Sequence, residues 1–392
     1  MKVYKIREDF PVLKDIIYLD SGATSQTPIP VVEAMNEYFY EYAANYGRGA
    51  HRLARKTTDK YEDSRENVAD FINAKSEQIV FTRNTTESIN MVSHGLNWKA
   101  GDHIITTLIE HHSNLLPWIR LKKKGVKVSI VAPDKTGIVS PDSIENCINS
   151  KTKLIAITHV SNVFGSVIDI KKVTNIAKKH KVLTLIDGAQ SVGHIPINIK
   201  DIDCDFFAAS GHKGLLGPQG TGILYIKDPE NLEPVYLGGG TVHSVTTEDY
   251  KLDIIPNRFE AGTPNIPGVI GLGRAVEYVQ NIGVQNIEKH VTNLARETAK
   301  SLSEIPNVEV YGPKERSAVV PFNIKGLNPH DVSMILDETR KICTRSGHHC
   351  AIPCINFLEV EGTVRASFAL YNTKEEVEIF INTVEEIAKA LT

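Results

Sequence analysis

The sequence predicts an α/β fold: a large domain on a mainly parallel, mixed sheet flanked by helices, then a smaller α+β C-terminal domain. Three observations predict it. Between about Gln78 and Ile226, short apolar runs alternate with helix-like stretches, as in a parallel sheet covered on both faces. Glu233 to Asn265 is less regular and carries Gly238-Gly239-Gly240 and several prolines, which reads as a long functional excursion. After Ile305 the pattern changes again, to strand-like runs ahead of a terminal helix. At 392 residues the chain exceeds one small core. The expected division is a large domain at 21–275 and a small one at 276–392, with 1–20 packing on the small one.

In chain order, the first strand of the large domain is Gln78–Thr82. It runs into Asn84-Thr85-Thr86-Glu87-Ser88, which opens a helical stretch from Ser88 to Leu96. Strands follow at His103–Thr107, Lys127–Val131, Lys153–Thr158, Val182–Asp187, Asp205–Ala209 and Gly222–Ile226, with a helix over Asp169–His180. Helices are expected at Ile266–Ile282 and Gln285–Ser303. The second domain takes strands Val308–Val310, Val319–Asn323 and Val364–Phe368. From Glu375, apolar Val377, Phe380, Val384, Ile387, Ala388 and Leu391 recur at helical spacing. No low-complexity segment or fixed-period repeat is present.

Bulk properties exclude several classes. A net charge of −3 gives no electrostatic case for nucleic acid or an anionic membrane. The five cysteines are odd in number and no secretion signal is visible, so a disulfide framework is not expected. Met1 to Phe10 lacks an apolar core, and no apolar run reaches the roughly 18–20 residues of a membrane span. A soluble protein of a reducing, cytoplasmic compartment is expected.

The chemistry concentrates at strand ends. Ser210-Gly211-His212-Lys213 follows a buried-looking strand and precedes the Gly-rich turn Gly214-Leu215-Leu216-Gly217-Pro218-Gln219-Gly220. An amine there suits a Schiff base, because lysine loses its charge readily when desolvated and then attacks carbonyls. The alternative is an ordinary solvated lysine. Asp187, ending its strand ahead of Gly188-Ala189-Gln190, either caps a turn or binds a pyridinium nitrogen. Thr85 and Thr86, at a helix start, are caps or phosphate ligands, and one position serves both.

Arg345-Ser346-Gly347-His348-His349-Cys350 is the second dense motif. Its histidines and cysteine are consecutive, whereas structural zinc ligands are spaced by two to four residues, so no metal is expected. A free reactive thiol on a flexible, Gly-bearing loop suits Cys350 better, with neighbouring cations favouring its thiolate. Arg365, in the strand Thr363–Phe368, is either a bidentate clamp for a substrate carboxylate or part of an ion pair.

As a set, these motifs closely resemble the SufS-type cysteine desulfurases, in the class-V branch of fold-type I pyridoxal-phosphate enzymes. The resemblance runs from Tyr18-Leu19-Asp20-Ser21-Gly22-Ala23-Thr24 to Arg365-Ala366-Ser367 and Tyr371-Asn372-Thr373. It implies pyridoxal 5'-phosphate linked to Lys213, with Asp187 on its ring nitrogen and Gln190 on its ring oxygen. It implies His111, in Glu110-His111-His112-Ser113-Asn114, stacked on the ring. Thr85, Thr86, Ser210 and His212 would hold the phosphate. Thr263 would reach the phosphate of the other subunit, implying a homodimer. Asn162 and Arg365 would hold the substrate carboxylate, with Arg345 near the mobile thiol. Cys350 matches the persulfide-forming cysteine.

The implied reaction takes sulfur from L-cysteine, leaving L-alanine and a Cys350 persulfide. Lys213 would remove the α-proton, with His111 as an acid–base helper. Delivery to a sulfur-acceptor protein or SufBCD-type scaffold for iron–sulfur cluster assembly is the implied destination. Three features depart from the pattern: Gly47 stands where a histidine is common, the turn after Lys213 is one residue longer, and Cys354 is an extra thiol. Cys354 either packs, forms a disulfide with Cys350 or relays the persulfide. Rival readings are a selenocysteine lyase, another class-V lyase or epimerase, a transaminase, and a non-enzymatic sulfur-trafficking subunit.

Overall fold

The computed structural model describes residues 1–47 and 49–391. Among them, seven strands form the larger sheet: β1 (Ile79–Thr82), β2 (His103–Thr107), β3 (Lys127–Val131), β4 (Thr152–Thr158), β5 (Leu183–Asp187), β6 (Phe206–Ser210) and β7 (Gly222–Ile226). Their order is β1-β7-β6-β5-β4-β2-β3. The five strands from β6 to β3 run parallel, while β7 is antiparallel to both β6 and β1.

Alternation explains why both faces of this sheet are covered. Along β4, Ile155 and Ile157 enter one buried cluster, while Leu154 and Ala156 enter another on the opposite side. The run is apolar without interruption because each face packs against helices. One of these is α1 (Arg52–Phe71), with Tyr61, Val68 and Ala69 in the first cluster. Another is α2 (Thr85–Gly95), with Ile89 and Val92 in the second. A third, α3 (Ile170–Lys179), is capped by Asp169, whose carboxylate accepts the Lys172 N–H.

The excursion after β7 contains an unforeseen antiparallel hairpin, β8 (Val242–Val245) with β9 (Tyr250–Leu252). Its strands are short and mostly exposed, so they lack the buried alternation by which strands are recognised.

The rest of the chain passes through α4 (Ile266–Ile282) and α5 (Val284–Glu304) to a second sheet. Its strands are β10 (Val308–Val310), β11 (Val319–Ile324), β12 (Arg345–Gly347) and β13 (Thr363–Ser367), in the antiparallel order β10-β11-β13-β12. Phe322 and Val364 of this sheet share a buried cluster with Leu294 of α5 and Phe380 of the terminal helix α6 (Lys374–Leu391). Phe10, Leu13 and Leu19 belong to the same cluster. Ile17 and Tyr18 pair in parallel with Ile342 and Cys343. Among the described residues, no helix is long and apolar enough to cross a membrane.

Candidate active site

A cleft of about 280 Å³ opens at the carboxyl ends of β4, β5 and β6. Parallel sheets collect ligands there, because successive strand ends and helix starts converge on one edge. Thr158, Asp187 and Ser210 end these three strands, and all three line the cleft. So do Thr85, Thr86, His111, Asn162, Gln190, His212, Lys213, Arg345 and Arg365. Eleven of the predicted site residues therefore meet in one cavity. Cys350 and Thr263 are not among its lining residues.

The phosphate-like end is a helix start. The side chain of Asn84 caps α2 by accepting the Glu87 N–H at 3.0 Å, so the helix begins at Thr85 rather than at Ser88. This puts Thr85 and Thr86 in the first turn, where free N–H groups favour an anion. The Thr85 and Ser210 hydroxyls lie 2.6 Å apart, and the Thr86 and Ser113 hydroxyls also lie 2.6 Å apart.

Lys213 stands deeper. Its amine faces the cleft and has no hydrogen-bond or ion-pair partner among the described residues. Burial pulls its pKa down to about 8; Asp187 opposes this shift, while Arg365 and Arg345 reinforce it. The turn behind it is tightly shaped. Gly217 N–H bonds Gly211 O at 2.8 Å, Leu216 takes φ +61°, and the Leu216 side chain enters the C-terminal core. A Cβ on Gly193 would lie 2.2 Å from Gly214 O, so this backbone approach requires glycine.

Asp187 accepts the Ala189 N–H at 2.9 Å. Burial raises its pKa, while Ala189 N–H and Lys213 pull it back. His111 Nδ1 accepts the Ser113 N–H at 3.1 Å, which leaves the ring proton on Nε2. Burial, then Lys213, hold this imidazole neutral, with a pKa near 3. Gln190 Nε2 donates to Gly22 O at 2.8 Å.

Arg365 takes part in an ion pair, one of the two sequence alternatives. Its Nη2 bonds Asp20 Oδ1 at 3.1 Å and its Nη1 bonds Asn162 O at 3.0 Å. Its Nε, buried, has no partner. Directly across the strand pair stands Arg345. Opposed like charges on neighbouring strands are unfavourable. Two guanidiniums facing one cleft therefore mark a place for an anion.

Cys350 is exposed, in a turn next to the cleft. It is close enough for its charge to act on Lys213 and Arg365. The turn is not a loose loop. His349 and Cys350 both take left-handed backbone, at φ +52° and +55°, which costs a non-glycine residue roughly 1–2 kcal/mol. Asn162 Nδ2 donates to His349 O at 2.8 Å, and His112 N–H donates to Cys350 O at 2.7 Å. Cys354 is buried in the core, only 1% exposed, and burial pushes its thiol pKa up, which favours the packing alternative. Thr263 lines a separate cavity of about 550 Å³ beside Tyr236 and Glu260. Glu260 there holds Arg65 at 2.7 Å.

Sequence reading missed several cleft residues. Gly22, Asn84 and His349 stand inside motifs singled out for other residues, and Thr158 ends a predicted strand, but none was assigned a part in the site. Glu110 lies beneath the site, fully buried, accepting from Thr107 Oγ1, Thr158 N and Asn114 Nδ2. Burial raises its pKa to about 8 despite these three donors. Its signal was its place in the Glu110–Asn114 motif.

This donor set fits pyridoxal phosphate. An unpaired, half-buried amine, a carboxylate at a neighbouring strand end, hydroxyls at a helix start and a neutral imidazole share one cavity, and the buried Nδ1 of His212 has no partner.

Comparison with known proteins agrees. The chain belongs to the class-V aminotransferase family, which it matches over residues 17–380. Within it the chain falls among the cysteine desulfurases. It is 48% identical to a probable cysteine desulfurase of Methanothermobacter thermautotrophicus, covering 99% of this chain and 98% of the relative. A probable cysteine desulfurase of Pyrococcus abyssi is 47% identical, with 98% of each covered. The apo cysteine desulfurase of Thermococcus onnurineus superposes with a TM-score of 0.96 at 47% identity, covering 99% of this chain and 98% of that one. The cysteine desulfurase CsdA of Escherichia coli, in S-sulfonic acid form, gives 0.93 at 35% identity with both chains fully covered.

Proposed function

We propose that this protein is a pyridoxal-phosphate-dependent cysteine desulfurase that converts L-cysteine to L-alanine and stores the sulfur as a persulfide on Cys350. The observation that carries this reading is the meeting of three groups. They are an unpaired, deprotonation-prone Lys213, an opposed Arg345–Arg365 pair, and an exposed cysteine beside them.

Lys213 would anchor the cofactor. Asp187 and Gln190 would hold its ring polar atoms, with His111 over the ring face. The first turn of α2, Ser210 and His212 would hold its phosphate. Bound there, the cofactor withdraws electron density from the substrate α-carbon.

Arg365, steadied by Asp20 and Asn162 O, receives the substrate carboxylate, with Arg345 beside it. Lys213 Nζ takes the α-proton, its lowered pKa making a neutral amine available near pH 8. His111 Nε2 is positioned to hand on a proton. The Cys350 thiolate attacks the substrate sulfur. An S–S bond forms as the C–S bond breaks, and the carbon fragment keeps the electron pair, takes up one proton at the carbon that lost sulfur, regains the α-proton from Lys213 and leaves as alanine.

The domain division at residue 275, a cytoplasmic location and supply of sulfur to an acceptor of iron–sulfur cluster assembly belong to the same reading. So does a homodimer, with Thr263 serving the partner's site; its placement in a cavity away from the cleft of its own chain supports this. The test incubates holoprotein with L-cysteine and quantifies alanine and protein-bound persulfide. Alanine with a modified Cys350 supports the reading. Pyruvate or D-cysteine instead overturns it.

A further inference from the structure

The turn carrying Cys350 needs more than its own residues to hold it. Two successive non-glycine residues in left-handed backbone persist only where surrounding contacts over-determine them. Four contacts do so here. Two come from Asn162 and the His112 N–H, as described. A third joins His349 Nε2 and Thr363 Oγ1 at 2.8 Å. In the fourth, Ile352 N–H donates to His112 Nε2 at 3.1 Å.

His112 thus grips the turn on both sides of Cys350. Its main chain holds the carbonyl of Cys350, and its ring holds the amide two residues later. That amide opens a helix, Ile352–Phe357, so it has no partner within the helix. His112 also follows His111 directly, so the grip ties the thiol's turn to the segment that carries the cleft imidazole.

We propose that His112 is a positioning residue whose ring nitrogen holds the Cys350 turn in its left-handed form and so fixes where the thiol stands relative to the cleft. The proposal rests on the desulfurase reading only in naming Cys350 as the sulfur acceptor. The ring must be neutral at Nε2 to accept. Burial, then the charge of His348, hold its pKa below the ordinary imidazole value.

His112→Ala removes the ring and keeps the main-chain bond. His112→Gln supplies an amide oxygen that can accept the same N–H. Both are tested as full-length holoprotein, with cofactor absorbance checked first. The main readout is the alkylation rate of Cys350 by iodoacetamide, followed on its peptide. A released turn lets an exposed thiol meet the reagent more freely and meet a substrate in the cleft less often. In the alanine variant, alkylation is expected to rise by about fivefold and cysteine turnover to fall by about as much, the scale of one lost hydrogen bond. In the glutamine variant both are expected to return to within about twofold. Unchanged alkylation in the alanine variant overturns the proposal, as does a glutamine variant no better than alanine. A parent protein without cysteine turnover would end the desulfurase reading but leave the alkylation comparison intact.

Discussion

Lys213 and Cys350 are held in opposite ways. Lys213 follows a fully buried strand, β6, and the sheet fixes its place. Cys350 sits outside regular structure, exposed, on a strained turn gripped from His112 and Asn162. The contrast follows from what each group must do. An amine that works by losing its proton needs desolvation, which a sheet edge beneath a domain supplies. A thiol that passes sulfur on needs access from solvent, and only a surface turn gives it. Rigidity is then recovered through hydrogen bonds from distant segments of the chain rather than burial.

Substitutions at the two places should fail differently. Lys213→Ala is expected to abolish covalent cofactor linkage and lower alanine formation by at least about 10³-fold. Absorbance of the linked cofactor and alanine yield check both. Cys350→Ala should lower alanine formation by about 10²-fold and yield no persulfide, yet keep cofactor absorbance intact. If Cys350→Ala also loses the cofactor, the two regions are not separable as described.

A subtler test addresses Arg365. Replacement by lysine keeps the charge but loses the planar fork that serves Asp20, Asn162 O and the cleft together. KM for cysteine is expected to rise about 20-fold, with a smaller change in kcat. An unchanged KM would return Arg365 to a purely structural ion pair.

The Lys213 pKa supplies a pH test on the cofactor-free protein. Only the neutral amine attacks an aldehyde, and burial places its pKa near 8. The rate of covalent cofactor loading should climb about tenfold per pH unit below 8 and level off above it. A rate still climbing through pH 10 would mean that burial does not tune this amine.

What the sequence made legible follows the same contrast. The strands from His103 to Ile226 could be read because buried parallel strands are continuous apolar runs, and Asp187 and Lys213 could be read because they follow such runs. The start of α2 was placed late, since Asn84 looks like loop until its cap hydrogen bond is seen. The β8–β9 hairpin was missed because exposed strands show no burial alternation. The turn around Cys350 was read as flexible because its clamps come from Asn162 and His112, roughly 190 and 240 positions before the residues they hold, and no local pattern encodes them.

Cys354 marks the smallest expected effect and the sharpest limit between the two regions. It lies four residues from Cys350, yet its side chain packs in the core with Ala351 and Ile355. A thiol whose burial raises its pKa is a poor thiolate and a poor relay. Cys354→Ser should therefore leave sulfide release and the oxidation sensitivity of Cys350 unchanged. It should lower stability by about 1–2 kcal/mol, because a hydroxyl replaces a thiol in apolar surroundings. Denaturant unfolding and sulfide assays separate the two effects. A drop in sulfide release at unchanged stability would show that the turn opens far enough to expose Cys354. The grip of His112 and Asn162 would then be looser than their hydrogen bonds indicate.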